Sequence, residues 1–214
     1  MLYTHDLLAK LQQRLQEPLP GLQAHIQMAP SDRIDFNNQK MLYTPRPDSK
    51  LSAVMILCYP KKDKIYFPLI VRPDNTGVHS GQIALPGGKK DDTDTDLTAT
   101  ALRETQEEMG IKVEKAQIIG SLTEFYIPPS NYIVYPKVAV LTHTPHFAPN
   151  PREVAQIIEV DLQSFFQDCP RVTRRVKSSY LEREVPCYEI QDHIVWGATA
   201  VILSEFKMLL AEIW

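Results

Sequence analysis

The chain has 214 residues, 43% apolar and 23% charged, with a net charge of −3. This is a globular composition with enough apolar material for a real core, and the lack of a basic excess argues against nucleic acid or a membrane surface as partner. Cys58, Cys169 and Cys187 are odd in number and lack C-x-x-C spacing, which argues against a disulfide framework or a zinc knuckle and suits a reducing, cytoplasmic setting.

No apolar run reaches the ~20 residues that span a bilayer. Residues 5–17 carry Leu7, Leu8, Leu11 and Leu15 at helical spacing. They read as an amphipathic helix packed on the domain, not as a targeting segment. Pro18 and Pro20 end that helix. Residues 27–50, polar and dotted with Pro30, Pro45 and Pro47, read as an irregular wrap. The expected organisation is therefore an extension over 1–50 and a domain over 51–214.

Residues 51–59 and 65–72 read as two strands joined by a turn. Residues 73–81 form a loop, and 82–85 a short strand leading to Pro86-Gly87-Gly88. Asp96 is placed to cap a helix over 97–109, with Leu97, Ala101, Thr105 and Met109 toward a sheet and Gly110 as its left-handed stop. Strands follow at 113–126 and 132–142 about a tight turn at 127–131. Another strand is expected at 154–160, a short helix at 162–166, an antiparallel pair from 171–177 and 186–190, and a closing helix over 196–213. Strands, one helix, strands and a final helix make an α+β domain.

On the helix over 97–109, residues three and four apart share a face, so Glu104 stands beside Glu107 and Glu108. Like charges at that spacing repel by about 0.2–0.5 kcal/mol per pair. A divalent cation, which takes carboxylate oxygens, turns the repulsion into coordination. Taken alone, such a cluster is far more often a solvated acidic face; the Gly87-Gly88 turn, Arg103 and Gly110 in register with it reverse that balance. Arg103, four residues before Glu107, is placed to steer the carboxylates through charge-assisted hydrogen bonds. Asp91 and Asp94 read as loop-forming residues, and Glu153 as a structural residue whose alternative is to reach the metals from a far loop. Arg72 and His79 flank the loop before the glycine turn and are candidates for holding phosphate or adenine. Gln82 either binds ligand or braces its strand.

The stretch 86–111 resembles the Nudix box, G-x5-E-x7-R-E-U-x-E-E-x-G-U with U apolar. Arg103-Glu104-Thr105-Gln106-Glu107-Glu108-Met109-Gly110-Ile111 matches its second half, with Thr105 at an apolar position. In the first half Asp94 stands where Glu is usual, one residue further from Arg103. That spacing, with Gly87, Gly88, Asp91, Thr100, Ala101 and Leu102, resembles the coenzyme A pyrophosphatase branch of the family. Arg72, Gly81 and Pro86 fit the branch's upstream signature, whereas Gly77 replaces its second Arg and Leu85 its Phe.

The resemblance implies an α/β/α sandwich with a mixed central sheet. It implies Mg²⁺- or Mn²⁺-dependent hydrolysis of the diphosphate of coenzyme A or acyl-coenzyme A, giving 3′,5′-ADP and (acyl-)4′-phosphopantetheine. Glu104 and Glu108 would ligate metal, Glu107 would be a further ligand or the base, and the Gly88 carbonyl would complete the shell. Two other readings stay open: a hydrolase of another nucleotide diphosphate such as ADP-ribose or a dinucleotide, and a non-catalytic nucleotide-sensing module. A homodimer is also compatible with the sequence.

Overall fold

A computed structural model describes residues 2–35, 37, 40–73, 81–178 and 181–214. In chain order the elements are α1 (Leu2–Arg14), α2 (Leu22–Met28), β1 (Ile34–Asp35), β2 (Lys40–Met41), β3 (Lys50–Lys61), β4 (Lys64–Val71), β5 (Ile83–Ala84) and β6 (Gly87–Lys89). Then come α3 (Leu97–Met109), β7 (Ile118–Ser121), β8 (Phe125–Ile127), β9 (Tyr132–Val140), β10 (Gln156–Asp161) and α4 (Leu162–Asp168). A ribbon of β11 (Val172–Ser178), β12 (Leu181–Ile190) and β13 (His193–Trp196) precedes α5 (Gly197–Ile213).

The apolar run at 51–59 forms the spine of the sheet. Ala53, Met55, Leu57 and Tyr59 are buried on one face, Ile56 and Cys58 on the other. Successive side chains of a strand point to opposite faces, so burial of both demands cover on both. The sheet runs β10-β4-β3-β9-β7. Only β3 and β9 pair in parallel along this path, so the sheet is mixed. On one edge β3 pairs with β4 near Tyr59 and with β6 near Ala53. That split delivers the glycine turn to the sheet directly beside α3.

Helix α3 covers the first face, burying Thr100, Ala101, Thr105 and Met109. Its ends follow the expected chemistry: the Asp96 side chain accepts from the Ala99 N–H, and Gly110 has φ 70°. The second face is covered by α5, α4 and α1, with Leu11, Phe67, Phe165, Leu203, Phe206 and Leu209 fully or almost fully buried. Helices on both faces of a mixed sheet make the α/β/α sandwich.

Several elements differ from the sequence expectation. Helix α2 occupies 22–28, a stretch to which the sequence assigns almost no element, and the β1–β2 pair lies within the expected irregular wrap over 27–50. The stretch 113–126 is not one strand; a 3₁₀ turn at Lys115–Gln117 is followed by β7 and β8. The interruption has a cause: the Thr123 N–H donates to the buried Glu205 carboxylate on α5 at 2.9 Å and not to the ladder. Glu205 also accepts from the Gly21 N–H at 2.8 Å and from Thr123 Oγ1 at 2.7 Å, with His25 Nε2 at 3.4 Å. Burial favours its neutral form, but the hydrogen bonds and nearby His25 prevail, and its carboxyl is held below the usual carboxylate range. Residues 193–196, expected in part as helix, pair with β12, and α5 starts at Gly197.

Candidate active site

The site is built where β6 meets α3. A Cβ at Gly87, whose φ is +146°, would meet Val54 Cα at 2.6 Å and the Ala53 carbonyl closer still. A Cβ at Gly88 would lie 2.5–2.6 Å from the two carboxylate oxygens of Glu104. Gly87 is thus required by the backbone of β3, and Gly88 by the carboxylate laid across it.

Glu108 is 2% exposed, and its Oε2 accepts from the Gly87 N–H at 2.7 Å. Its Oε1 lies 3.8 Å from Arg72 Nη2. Glu153 joins from the loop before β10. That loop is fastened to α3 by the Asn150 N–H donating to the Glu108 carbonyl at 3.0 Å, and Asn150 Nδ2 donates to Glu153 Oε1 at 3.0 Å. One oxygen from each of Glu104, Glu108 and Glu153 lies within 4.8 Å of the others. Three hard oxygen donors at this separation suit a divalent cation.

Burial pushes the Glu108 carboxyl up to about 7, against the opposing Gly87 N–H and Arg72 charge. Burial likewise raises Glu104, against the hydrogen bond from Arg103. Without a cation, both carboxylates resist ionisation.

The structure departs from expectation at Glu107. Its side chain is 50% exposed, accepts from Arg103 Nη1 at 3.0 Å and is not brought into the carboxylate group. Arg103 also donates to Glu104 at 2.8 Å and to the Lys89 carbonyl at 3.0 Å. What sequence reasoning missed is its anchor. Arg103 Nε and Nη2 both donate to buried Asp94, each at 2.9 Å. Asp94 also accepts from Thr100 Oγ1 and the Asp91 N–H. It therefore has no part in the carboxylate group, and these hydrogen bonds, Arg103's first, hold its carboxyl well below the usual range. The signal was the nine-residue interval from Asp94 to Arg103, which brings the turn before α3 back onto its second turn.

Asp94→Asn is expected to cost roughly 2–3 kcal/mol in urea unfolding, below the 3–5 kcal/mol of a fully buried broken pair because Arg103 is partly exposed. The sign with pH follows from the depressed carboxyl. Its contribution is complete above the unfolded value of about 3.9 and is lost as pH falls toward the folded one, so the variant should show a flatter acid slope. An unaltered urea midpoint would contradict this account of Arg103.

Arg72 and Gln82 line a cavity of about 360 Å³ that also touches Gly87 and Gly88. Its wall is largely apolar, with Ile83, Leu85, Phe125, Val134, Trp196 and Val201. His79 and Gly77 lie outside the described residues.

The NUDIX domain family matches residues 49–175, more than half of the chain. The chain belongs to the Nudix family. This Nudix chain is 35% identical over 179 residues to the uncharacterized Nudix hydrolase NudL of Photorhabdus laumondii, covering 80% of this chain and 94% of that one. It is 28% identical over 166 residues to the mouse peroxisomal coenzyme A diphosphatase NUDT7, covering 75% of this chain and 70% of that one. Among solved structures, a MutT/nudix family protein from Enterococcus faecalis superposes with a TM-score of 0.52 at 17% identity, over 85% of this chain and 69% of that one, a likeness of fold alone. As a Nudix hydrolase the protein is an enzyme acting on pyrophosphate bonds of small nucleotide diphosphates, and the family generally uses divalent metal ions. Among the described residues no helix is long and apolar enough to cross a membrane.

Proposed function

We propose that this Nudix hydrolase cleaves the diphosphate of coenzyme A or acyl-coenzyme A, giving 3′,5′-ADP and the (acyl-)4′-phosphopantetheine. The observation that carries the reading is the likeness to the mouse coenzyme A diphosphatase over 75% of the chain. The apolar cavity beside Gly87, Gly88 and Arg72 supports it, because a coenzyme A-like substrate brings bulky, partly apolar groups on both sides of its diphosphate. The three gathered carboxylates count against a non-catalytic sensing module.

Glu104, Glu108 and Glu153 would hold Mg²⁺ or Mn²⁺. Bound there, the cation supplies Lewis-acid charge against the negative charge developing on the phosphoryl oxygens. Arg103, fixed by Asp94, holds Glu104 in place, and Arg72 faces the phosphates at the cavity mouth. Glu153, the exposed member of the group, would serve either as the third ligand or as the base for the attacking water, the two roles that the sequence offered for Glu107. The water oxygen forms the new P–O bond as the bridging P–O bond breaks.

Purified protein with Mg²⁺ or Mn²⁺ is expected to release 3′,5′-ADP from coenzyme A. Faster turnover of ADP-ribose would overturn the substrate assignment. Cation binding has its own signature. Because Glu108 titrates near 7 without metal, the stability from its neutral form is present below its ordinary value of 4.5 and lost as pH rises through 7. Metal must displace that proton. At 100 times Kd the gain is about 2.7 kcal/mol, or roughly 5–10 °C in Tm for a chain of this size. Thermal melts should show most of this gain at pH 8 and little at pH 5.5; equal gains would contradict the assignment.

A further inference from the structure

Among the described residues the cavity beside the carboxylate group is lined by four charged side chains, Arg33, Arg72, Lys89 and Arg183, and all four are cations in a chain of net charge −3. Arg72 and Lys89 belong to the neighbourhood of the glycine turn. Arg33 and Arg183 reach the same cavity from elsewhere: Arg33 ends the 3₁₀ turn Ser31–Arg33 before β1, and Arg183 lies on β12. Arg183 is held in place by Asp32, its Nη1 donating to both carboxylate oxygens at 2.9 and 2.8 Å. Its Nε is buried and has no hydrogen-bond partner among the described residues.

An exposed Arg–Asp pair alone would call for no ligand. Arg183 differs in its place: it lines the cavity together with three other cations, so a negative group entering the cavity meets positive charge. The planar fork of arginine matches the oxygens of a phosphate, and Asp32 fixes the orientation of that fork before anything binds. Among the described residues no acidic side chain lines the cavity to repel such a group.

We infer that Arg183, with Arg33 beside it, forms a second anion site in this cavity, binding a phosphate monoester of the substrate apart from the diphosphate. The inference rests on the coenzyme A reading above, and in a substrate of that class the group is the 3′-phosphate of the ribose. Arg183 is then a specificity-determining residue, favouring 3′-phosphorylated diphosphates over those without such a phosphate.

The test compares kcat/KM for coenzyme A and 3′-dephospho-coenzyme A in wild type and Arg183→Gln. Calorimetry runs in parallel on adenosine 3′,5′-bisphosphate and adenosine 5′-monophosphate. Wild type is expected to prefer coenzyme A at least tenfold. Arg183→Gln should reduce that preference at least tenfold, through KM, and weaken the bisphosphate about tenfold more than the monophosphate. Asp32→Asn separates a structural role: if Arg183 only ties residues 31–33 to β12, both variants lose the two substrates equally, and the inference falls. Coenzyme A turnover with no preference for the 3′-phosphate would overturn the site while leaving the hydrolase reading intact. No coenzyme A turnover, but Arg183-dependent preference for the bisphosphate, would leave the site and remove the reading. Absence of both removes both.

Discussion

Glu108→Gln is expected to lower kcat by about three orders of magnitude while the cation-free protein melts at the same temperature or higher. Glu108 is the one member of the carboxylate group that is nearly completely buried. The charge stabilisation a metal provides is worth several kcal/mol, and each 1.36 kcal/mol is tenfold in rate. Glutamine keeps an oxygen for the Gly87 N–H at 2.7 Å but removes the charge that burial resists. Stability and activity therefore move independently, which a merely structural residue would not allow. Steady-state kinetics and a thermal melt on one preparation decide it. A variant retaining a tenth of wild-type turnover would remove Glu108 from the metal set.

The two adjacent glycines should fail in different ways. Gly87→Ala puts a methyl into the backbone of β3 at a φ of +146°. Such a conformation costs roughly 1–3 kcal/mol, and overpacking a comparable amount. The expected loss is about 3 kcal/mol or more by urea unfolding, because neither Ala53 nor Val54 can retreat without parting β3 from β6. Gly88→Ala meets only the far end of Glu104, a side chain that can swing aside. Its stability should stay within about 1 kcal/mol of wild type, while metal affinity falls roughly 10–100-fold as Glu104 leaves the group. Equal destabilisation by both substitutions would show that this division is mistaken.

Local chemistry made much of the fold legible. Asp96 and Gly110 marked the ends of α3, and the apolar run at 51–59 marked a buried strand. The spacing of Glu104 and Glu108 put both carboxylates on one helical stripe. What stayed hidden depends on distant partners. Glu153 was readable only as the second choice, reaching the metals from a far loop, because it joins 45 residues beyond Glu108 through hydrogen bonds to α3 that have no periodicity to betray them. Glu107 satisfies the same helical spacing as its neighbours, yet Arg103 holds it outward. The break between β7 and β8 was equally unreadable, because its cause sits on α5.

Glu205 has a practical consequence. Its buried carboxylate gathers the Gly21 N–H and Thr123, with His25 close by, while Leu7 and Leu11 of α1 and Leu15 just after it share a core with α5. The stretch recognised as the family's domain, residues 49–175, contains none of α1, α2 or α5. An expression clone trimmed to it would leave α4 as the one helix covering that face of the sheet. What is shared by descent and what folds as a unit have different borders here, and a shortened gene should keep both ends of the chain.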